Sequence, residues 1–342
     1  MKRSGRQELL FLKKKPPKDF LESGAKAVWR PGVNALRWTK SVLALPSFGR
    51  GRLNHQVPSK DGRNMRVCVI QMSPKADKGE NIGQARSLIE AALAAERADL
   101  VALPEIWTCL GGSRATKFAA AEKLPPTGSG EAGGPAYEFL RQTAIAHKIH
   151  LHGGSIGELD GERIYNTSLV FSPKGEELAR YRKIHLFDIT TPDGQGYKES
   201  ATYGAGEQVV TCDIGALKLG LAICYDLRFP ELFLALRRQG AELILLPAAF
   251  TLQTGKDHWE VLLRARAIET QCWIAAPACT GAHLDASGET RFTYGHSLIA
   301  DPWGHVVAKA SDGPGWASAR IDKELAYRAR ENMPVLAHRK LV

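Results

Sequence analysis

Cys224 stands where a short apolar run, residues 219–223, breaks into polar residues within KLGLAICYDLRFPE (218–231). After Pro230 the pattern over 232–238 predicts a helix. A strand that enters a tight turn and then a helix exposes one side chain at the end of a sheet, the geometry that presents a nucleophile. On this reading Cys224 is that nucleophile; a buried core cysteine at a strand end is the competing reading. Glu105 closes a second apolar run, DLVALPE (99–105), directly after Pro104, and Lys183 lies at the end of a third strand-like stretch, RYRKIHLFD (180–188). Each is an ionisable group at the carboxyl end of a predicted strand, where α/β sheets place their ligand crevices. Taken singly, Glu105 reads equally as a loop acid and Lys183 as a solvated strand-end lysine. Taken together, the three supply a base, a cation for a developing oxyanion and a nucleophile.

The elements that must position them follow from hydropathy periods. Residues 66–72 read as a buried strand, 81–97 as an Ala/Leu-rich amphipathic helix and 100–103 as a second buried strand, a βαβ beginning. A Gly/Pro-rich loop over 125–134 precedes a helix over 135–147 and a strand over 149–156. Residues 163–171 and 177–184 form a strand pair about the turn Pro173-Lys174-Gly175. Strands over 209–212 and 217–223 join through Gly215, and the run 243–247 follows the helix after Pro230. A helix over 258–270 has Trp259, Leu262, Leu263 and Ala267 on one side, with Arg266 and Glu269 spaced to pair as a brace. Strands over 273–277, 296–300, 306–310 and 316–321 and a helix over 324–330 complete the pattern. The hairpin-like segments favour two sheets covered by helices over one doubly wound sheet.

The chain has 342 residues, 44% of them hydrophobic, enough for a large core in one or two domains. Its net charge of +10 is located in one stretch: residues 1–65 hold 15 Lys and Arg against 4 Asp and Glu, and the rest hold 31 against 32. The body is neutral, so the basicity does not argue for nucleic acid as a partner. Residues 1–64 show no sustained period and are expected to be a basic, disordered extension outside the core. A targeting peptide and sequence upstream of a later start at Met65 are the other two readings, the former weakened by Glu8, Asp19 and Glu22. The six cysteines make no CxxC pair, and His283, His296 and His305 fall at no metal-ligand spacing. The expectation is a cytoplasmic protein in a reducing compartment, with no membrane span and no metal.

The segments LPEIW (103–107), YRKIHLFD (181–188) and GLAICYDLRFPE (220–231) resemble the three signature segments of the nitrilase superfamily, the carbon–nitrogen hydrolases with a Glu-Lys-Cys triad. The separations, 78 residues from Glu105 to Lys183 and 41 from Lys183 to Cys224, fit as well. The similarity covers 65–340, which makes 65–342 the hydrolase domain. It implies an α/β fold, a four-layer αββα sandwich of the nitrilase type, usually associated across a helical face into an eight-layer homodimer or a larger homo-oligomer. It implies catalysis without metal or organic cofactor by Glu105, Lys183 and Cys224, with the backbone N–H of Tyr225 as a second oxyanion donor. Glu199, in the Gly-rich loop between the Lys and Cys segments, matches an additional family glutamate that positions the lysine and the substrate amide. Phe250 and Thr251 match pocket-lining positions, strand-end packing being their plainer reading. Arg228 offers a planar fork for a substrate carboxylate, or else an internal salt bridge with Glu231 or Asp226.

The runs GKDHWEVLLRARAIETQC (255–272), YGHSLIADPWG (294–304) and MPVLAHRK (333–340) resemble the deaminated glutathione amidase branch. The implied substrate is a small anionic amide, deaminated glutathione, cleaved through a thioester. An ω-amidase acting on α-ketoglutaramate, another amidase or a true nitrilase shares the triad. An inactive interaction module is the reading from a different class, and the presence of all three triad residues opposes it.

Overall fold

The structure is a computed structural model and describes residues 64–191 and 194–341. The expected N-terminal extension therefore lies, Asn64 apart, outside the described residues. From there the chain runs β1 (Met65–Gln71), α1 (Lys78–Ala95), β2 (Leu100–Ala102), α2 (Arg114–Ala120), α3 (Pro135–His147), β3 (His150–His152), β4 (Ile156–Asp160), β5 (Arg163–Phe171), β6 (Glu177–Arg182), β7 (Asp188–Thr190), β8 (Gly196–Lys198) and β9 (Tyr203–Gly204). It continues through β10 (Thr211–Asp213), β11 (Lys218–Leu221), α4 (Pro230–Arg238), β12 (Leu243–Leu245), α5 (Leu252–Thr270), β13 (Trp273–Ala276), β14 (Thr280–Leu284), β15 (Thr290–Tyr294), β16 (Leu298–Ala300), β17 (Val306–Lys309), β18 (Gly315–Ile321) and α6 (Lys323–Asn332).

Strands that are apolar on both faces need cover on both sides. In β1, Met65, Val67 and Val69 enter one buried cluster and Cys68 and Ile70 another; in β2, Leu100 and Ala102 separate from Val101 in the same way. The first cluster also holds Leu219, Leu221, Leu243 and Leu245 of the second sheet, so it includes the layer between the two sheets. The second holds Ala85 and Ile89 of α1 and Leu140 and Ala144 of α3, and is the layer beneath the helices. On the far side, Phe233 of α4 and Trp259 and Leu263 of α5 pack onto the second sheet. The result is a four-layer αββα sandwich.

The first sheet has the order β18-β1-β2-β3-β5-β4, with β6 and β9 also paired to β5, and the second the order β10-β11-β12-β13-β16-β17. At the centre of each, β1-β2-β3 and β11-β12-β13 run parallel. Their carboxyl ends therefore lie along common edges. The pairs β5–β6 and β10–β11 are antiparallel, as the hairpin reading required.

Most predicted elements differ from the observed ones by a few residues at an end, and two differ by more. The strand expected over 149–156 is two strands, β3 and β4, parted at Gly153 and Gly154. Gly154 has φ +60, and a Cβ there would lie 2.0 Å from the carbonyl oxygen of Pro104. Only glycine lets the chain pass so close beneath the residue before Glu105. Helix α5 begins at Leu252 rather than 258, because Thr251 accepts the Thr254 N–H as its N-cap and extends the helix by more than a turn.

His152, at the end of β3, is fully buried, with its Nε2 2.7 Å from the Ser168 hydroxyl and its Nδ1 without a partner. Burial pushes its pKa down from 6.5 to about 3. The unfolded chain thus takes the proton first as pH falls, and the stability held by neutral His152 is lost progressively from pH 6.5 towards pH 3. At pH 5 the loss amounts to about 2 kcal/mol. We expect the fall in unfolding temperature between pH 7 and pH 5 to be distinctly smaller in His152→Gln than in the parent; equal falls in thermal melts would contradict this.

Candidate active site

Glu105 emerges two residues past Leu103, just beyond the end of β2, and is buried. Its Oε1 accepts from Lys183 Nζ at 2.9 Å and from Asn166 Nδ2 at 2.9 Å; its Oε2 accepts from the Ala249 N–H at 2.8 Å. Ala249 follows β12 of the second sheet, so this carboxylate is held by both sheets at once. The next residue, Ile106, has φ +41, a left-handed conformation that a β-branched side chain rarely adopts. It is held there by a hydrogen bond from its N–H to Ser155 Oγ at 2.9 Å.

Lys183 is the first residue past β6, and its N–H bonds the Asn166 carbonyl at 2.9 Å, which sets the two side chains beside each other. The lysine is 1% exposed. Its ammonium donates to Glu105 and to both oxygens of Glu199, at 3.0 and 2.8 Å. Burial alone would lower its pKa; the Glu105 and Glu199 carboxylates outweigh that and hold it charged, well above the usual lysine value. Glu199 is fixed in turn by the Phe187 N–H at 2.7 Å and by Asn166 Nδ2 at 3.3 Å.

Cys224 closes the arrangement from the second sheet. It opens a short 3-10 turn with φ +47, a strain on the order of 1–2 kcal/mol for a residue with a Cβ. Its own N–H bonds the Pro247 carbonyl at 2.9 Å, whereas the Tyr225 N–H, at the start of the turn, has no backbone acceptor. The turn is pinned by Asp226, fully buried, which accepts from Tyr181 Oη at 2.6 Å, Ile223 N–H at 2.8 Å and His185 N–H at 3.1 Å, with His185 Nδ1 at 2.7 Å. From behind, Arg266 Nε donates to the Leu227 carbonyl at 3.0 Å while its guanidinium pairs with Glu269 at 3.0 Å. Burial, and next the Glu105 charge, push the Cys224 thiol well above its usual value, against the smaller opposing pull of Lys183.

These four groups open onto one cavity of about 520 Å³. Phe250 and Thr251 line it as well, although the Thr251 hydroxyl is engaged in capping α5. Arg228 does not line it. Its guanidinium lies 5.5 Å from the Phe250 ring centroid and 3.3 Å from His258 Nδ1, and pairs with neither Glu231 nor Asp226. The remaining walls come from α2, from the ribbon β7–β8 and from the ribbon β14–β15, which bring Lys117, Tyr197 and Arg291 to the cavity. Asn166, which bonds both glutamates, was invisible in the sequence reading; its only signal is a polar residue inside the apolar strand RIYNTSLVF.

All six cysteines are free. Among the described residues no three His, Cys, Asp or Glu side chains are arranged to hold a metal ion, and no helix is long and apolar enough to cross a membrane.

A carboxylate, an ammonium and a thiol converging at the carboxyl edge of two face-packed sheets form an arrangement that can carry out acyl transfer. The chain belongs to the carbon–nitrogen hydrolase family of the nitrilase superfamily, whose family model matches residues 66–331. It is 43% identical over 286 residues to a deaminated glutathione amidase of Synechocystis, covering 81% of this chain and 98% of that protein. It is 38% identical over 277 residues to an omega-amidase of Xenopus tropicalis, covering 80% of this chain and 95% of that one. Among solved structures it resembles the C. elegans NitFhit protein with a TM-score of 0.72 at 37% identity; the match covers 81% of this chain and 65% of that chain. The protein is thus an enzyme of the carbon–nitrogen hydrolase class, an amidase by family.

Proposed function

We propose that the protein is a thiol amidase that hydrolyses deaminated glutathione, with Cys224 as nucleophile, Glu105 as general base and acid, and Lys183 with the Tyr225 N–H as oxyanion donors. The observation that carries this reading is the meeting of Glu105, Lys183, Glu199 and Cys224 at the floor of one cavity. At rest the thiol is protonated, so attack needs a base in contact. Glu105 takes the proton as Sγ bonds the amide carbon. The tetrahedral oxygen receives hydrogen bonds from the unengaged Tyr225 N–H and from Lys183, whose second bond to Glu199 is the one it can exchange. Glu105 then protonates the amine, the C–N bond breaks and a thioester remains. Water gives its proton to Glu105, attacks the thioester, and the proton returns to the departing thiolate.

The similarity to a protein named deaminated glutathione amidase supports the substrate, and the cavity's volume suits a peptide-sized amide. The similarity to an omega-amidase favours a second reading, hydrolysis of α-ketoglutaramate. Product release from the two amides side by side separates them. Faster turnover of deaminated glutathione is the expected result, the reverse preference moves the substrate to the ω-amide, and turnover of neither overturns both and directs attention to other amides and nitriles. The homodimeric assembly implied by the family would cover the outer side of α5, where Val261 and Ile268, seven residues apart, are 66% and 47% exposed.

A further inference from the structure

The cavity wall carries five cations: Arg114, Lys117, Lys183, Lys198 and Arg291. Four of them are accounted for. Lys183 belongs to the carboxylate cluster, Arg114 donates to the Ala201 carbonyl at 3.2 Å, Arg291 pairs with Asp285 at 3.1 Å, and Lys198 is exposed to solvent. Lys117 differs from all of these. It is half-buried on α2, a short helix whose own N-terminus is closed by the Ser113–Thr116 capping box, and its ammonium makes neither a hydrogen bond nor an ion pair. Burial, its dominant influence, pulls its pKa down, and the charges nearest it include Glu199 of the carboxylate cluster and Arg291 across the cavity.

An ammonium taken partly out of water without a partner is costly unless something supplies the opposite charge. Within the family's chemistry nothing requires a second lysine: the scissile amide is neutral, and Lys183 already serves its oxygen. We propose that Lys117 is the anchor for a substrate carboxylate, so that the enzyme selects amides carrying a carboxylate remote from the scissile bond. Arg291, on the opposite ribbon with its guanidinium 4.7 Å from the Tyr197 ring centroid, bounds the same subsite. The inference rests on the amidase reading of this cavity and deepens it by naming what the site recognises. It also places specificity on α2, an element that contributes no group to the cluster around Cys224.

Two matched amides test it: succinamate, and butyramide, in which a methyl replaces the carboxylate. The parent should favour succinamate at least tenfold in kcat/KM, and Lys117→Gln should reduce that ratio about tenfold, mainly through KM. Lys117→Arg, which keeps the charge, should retain most of the preference. The same comparison is made by calorimetric binding to Cys224→Ala with and without Lys117→Gln, where succinamate should bind about tenfold more weakly once the lysine is gone. A parent without preference for succinamate, or an unchanged ratio and unchanged binding in Lys117→Gln, overturns the anchor. Should the parent turn over neither amide, the small-amide reading fails, and the binding arm still decides the anchor by itself.

Discussion

Cys224→Ala is expected to lower amide hydrolysis by on the order of 10⁴-fold or more while leaving the fold in place. The size follows from the absence of a substitute. Cys109 lines the same cavity, but burial raises its thiol pKa as well and its Sγ is directed to the Ala76 carbonyl at 3.6 Å, away from Glu105. Cys279 approaches only the Glu105 backbone carbonyl, at 3.2 Å, and burial holds its thiol well above the usual value. Neither has a carboxylate base and a free oxyanion donor at hand. Cys224→Ser keeps a hydroxyl in place but asks Glu105 to deprotonate a far weaker acid, so it should fall close to the alanine variant. Steady-state kinetics of Cys224→Ala beside Cys109→Ala decide the matter. Loss of activity in the second and not in the first would move the chemistry to another thiol.

Lys183→Met has the second-largest expected effect, because it removes the proposed oxyanion donor and breaks a buried ion cluster together. Loss of the donor should cost about 10²–10³ in kcat. The stability cost is about 3–5 kcal/mol, the usual consequence of leaving a buried charge without its partner; here two carboxylates, Glu105 and Glu199, are left facing each other. In the parent, the raised Lys183 pKa means that its stabilising contribution is complete at neutral pH and is lost only as pH rises through the folded-state value, well above 10.5. Denaturant unfolding of parent and variant at pH 7 tests this cost, and a deficit below about 1 kcal/mol would show that the buried ion cluster contributes little to stability.

How much of this was legible in the sequence depended on burial. The strand MRVCVIQ, the hairpin strand RIYNTSLVF and the helix PAYEFLRQTAIAH sit against the core, and their apolar periods placed them within a residue or so of the observed ends. Glu105, Lys183 and Cys224 stood out because each follows such a run. The walls of the cavity were not legible, since they are made of elements with little core face. Helix α2, RATKFAA, buries no residue fully and is too short for a period to show. The ribbon β14–β15 pairs TGAHL with TRFTY, strands rich in polar and exposed positions, and β7–β8 has three residues a side. Lys117 and Arg291 thus sit on elements that carry no sequence signal, whereas Arg228 adjoins the Cys224 motif. In the packed structure Arg228 instead meets the Tyr225 and Phe250 rings, 5.9 and 5.5 Å from their centroids. The left-handed backbone at Cys224 was hidden for a similar reason. Nothing in CYDLR announces a positive φ, which is imposed by Asp226 gripping Tyr181, His185 and Ile223 across the two sheets.

The central claim is a covalent acyl-enzyme at Cys224, and the most direct measurement is the mass of the protein quenched in acid within milliseconds of mixing with its best-hydrolysed amide. The expected result is a species heavier than the free enzyme by the acyl group, without the departing amine, which peptide mapping places on Cys224 and which disappears in Cys224→Ala. Continued turnover with no adduct at any quench time, or an adduct on another residue, would contradict it.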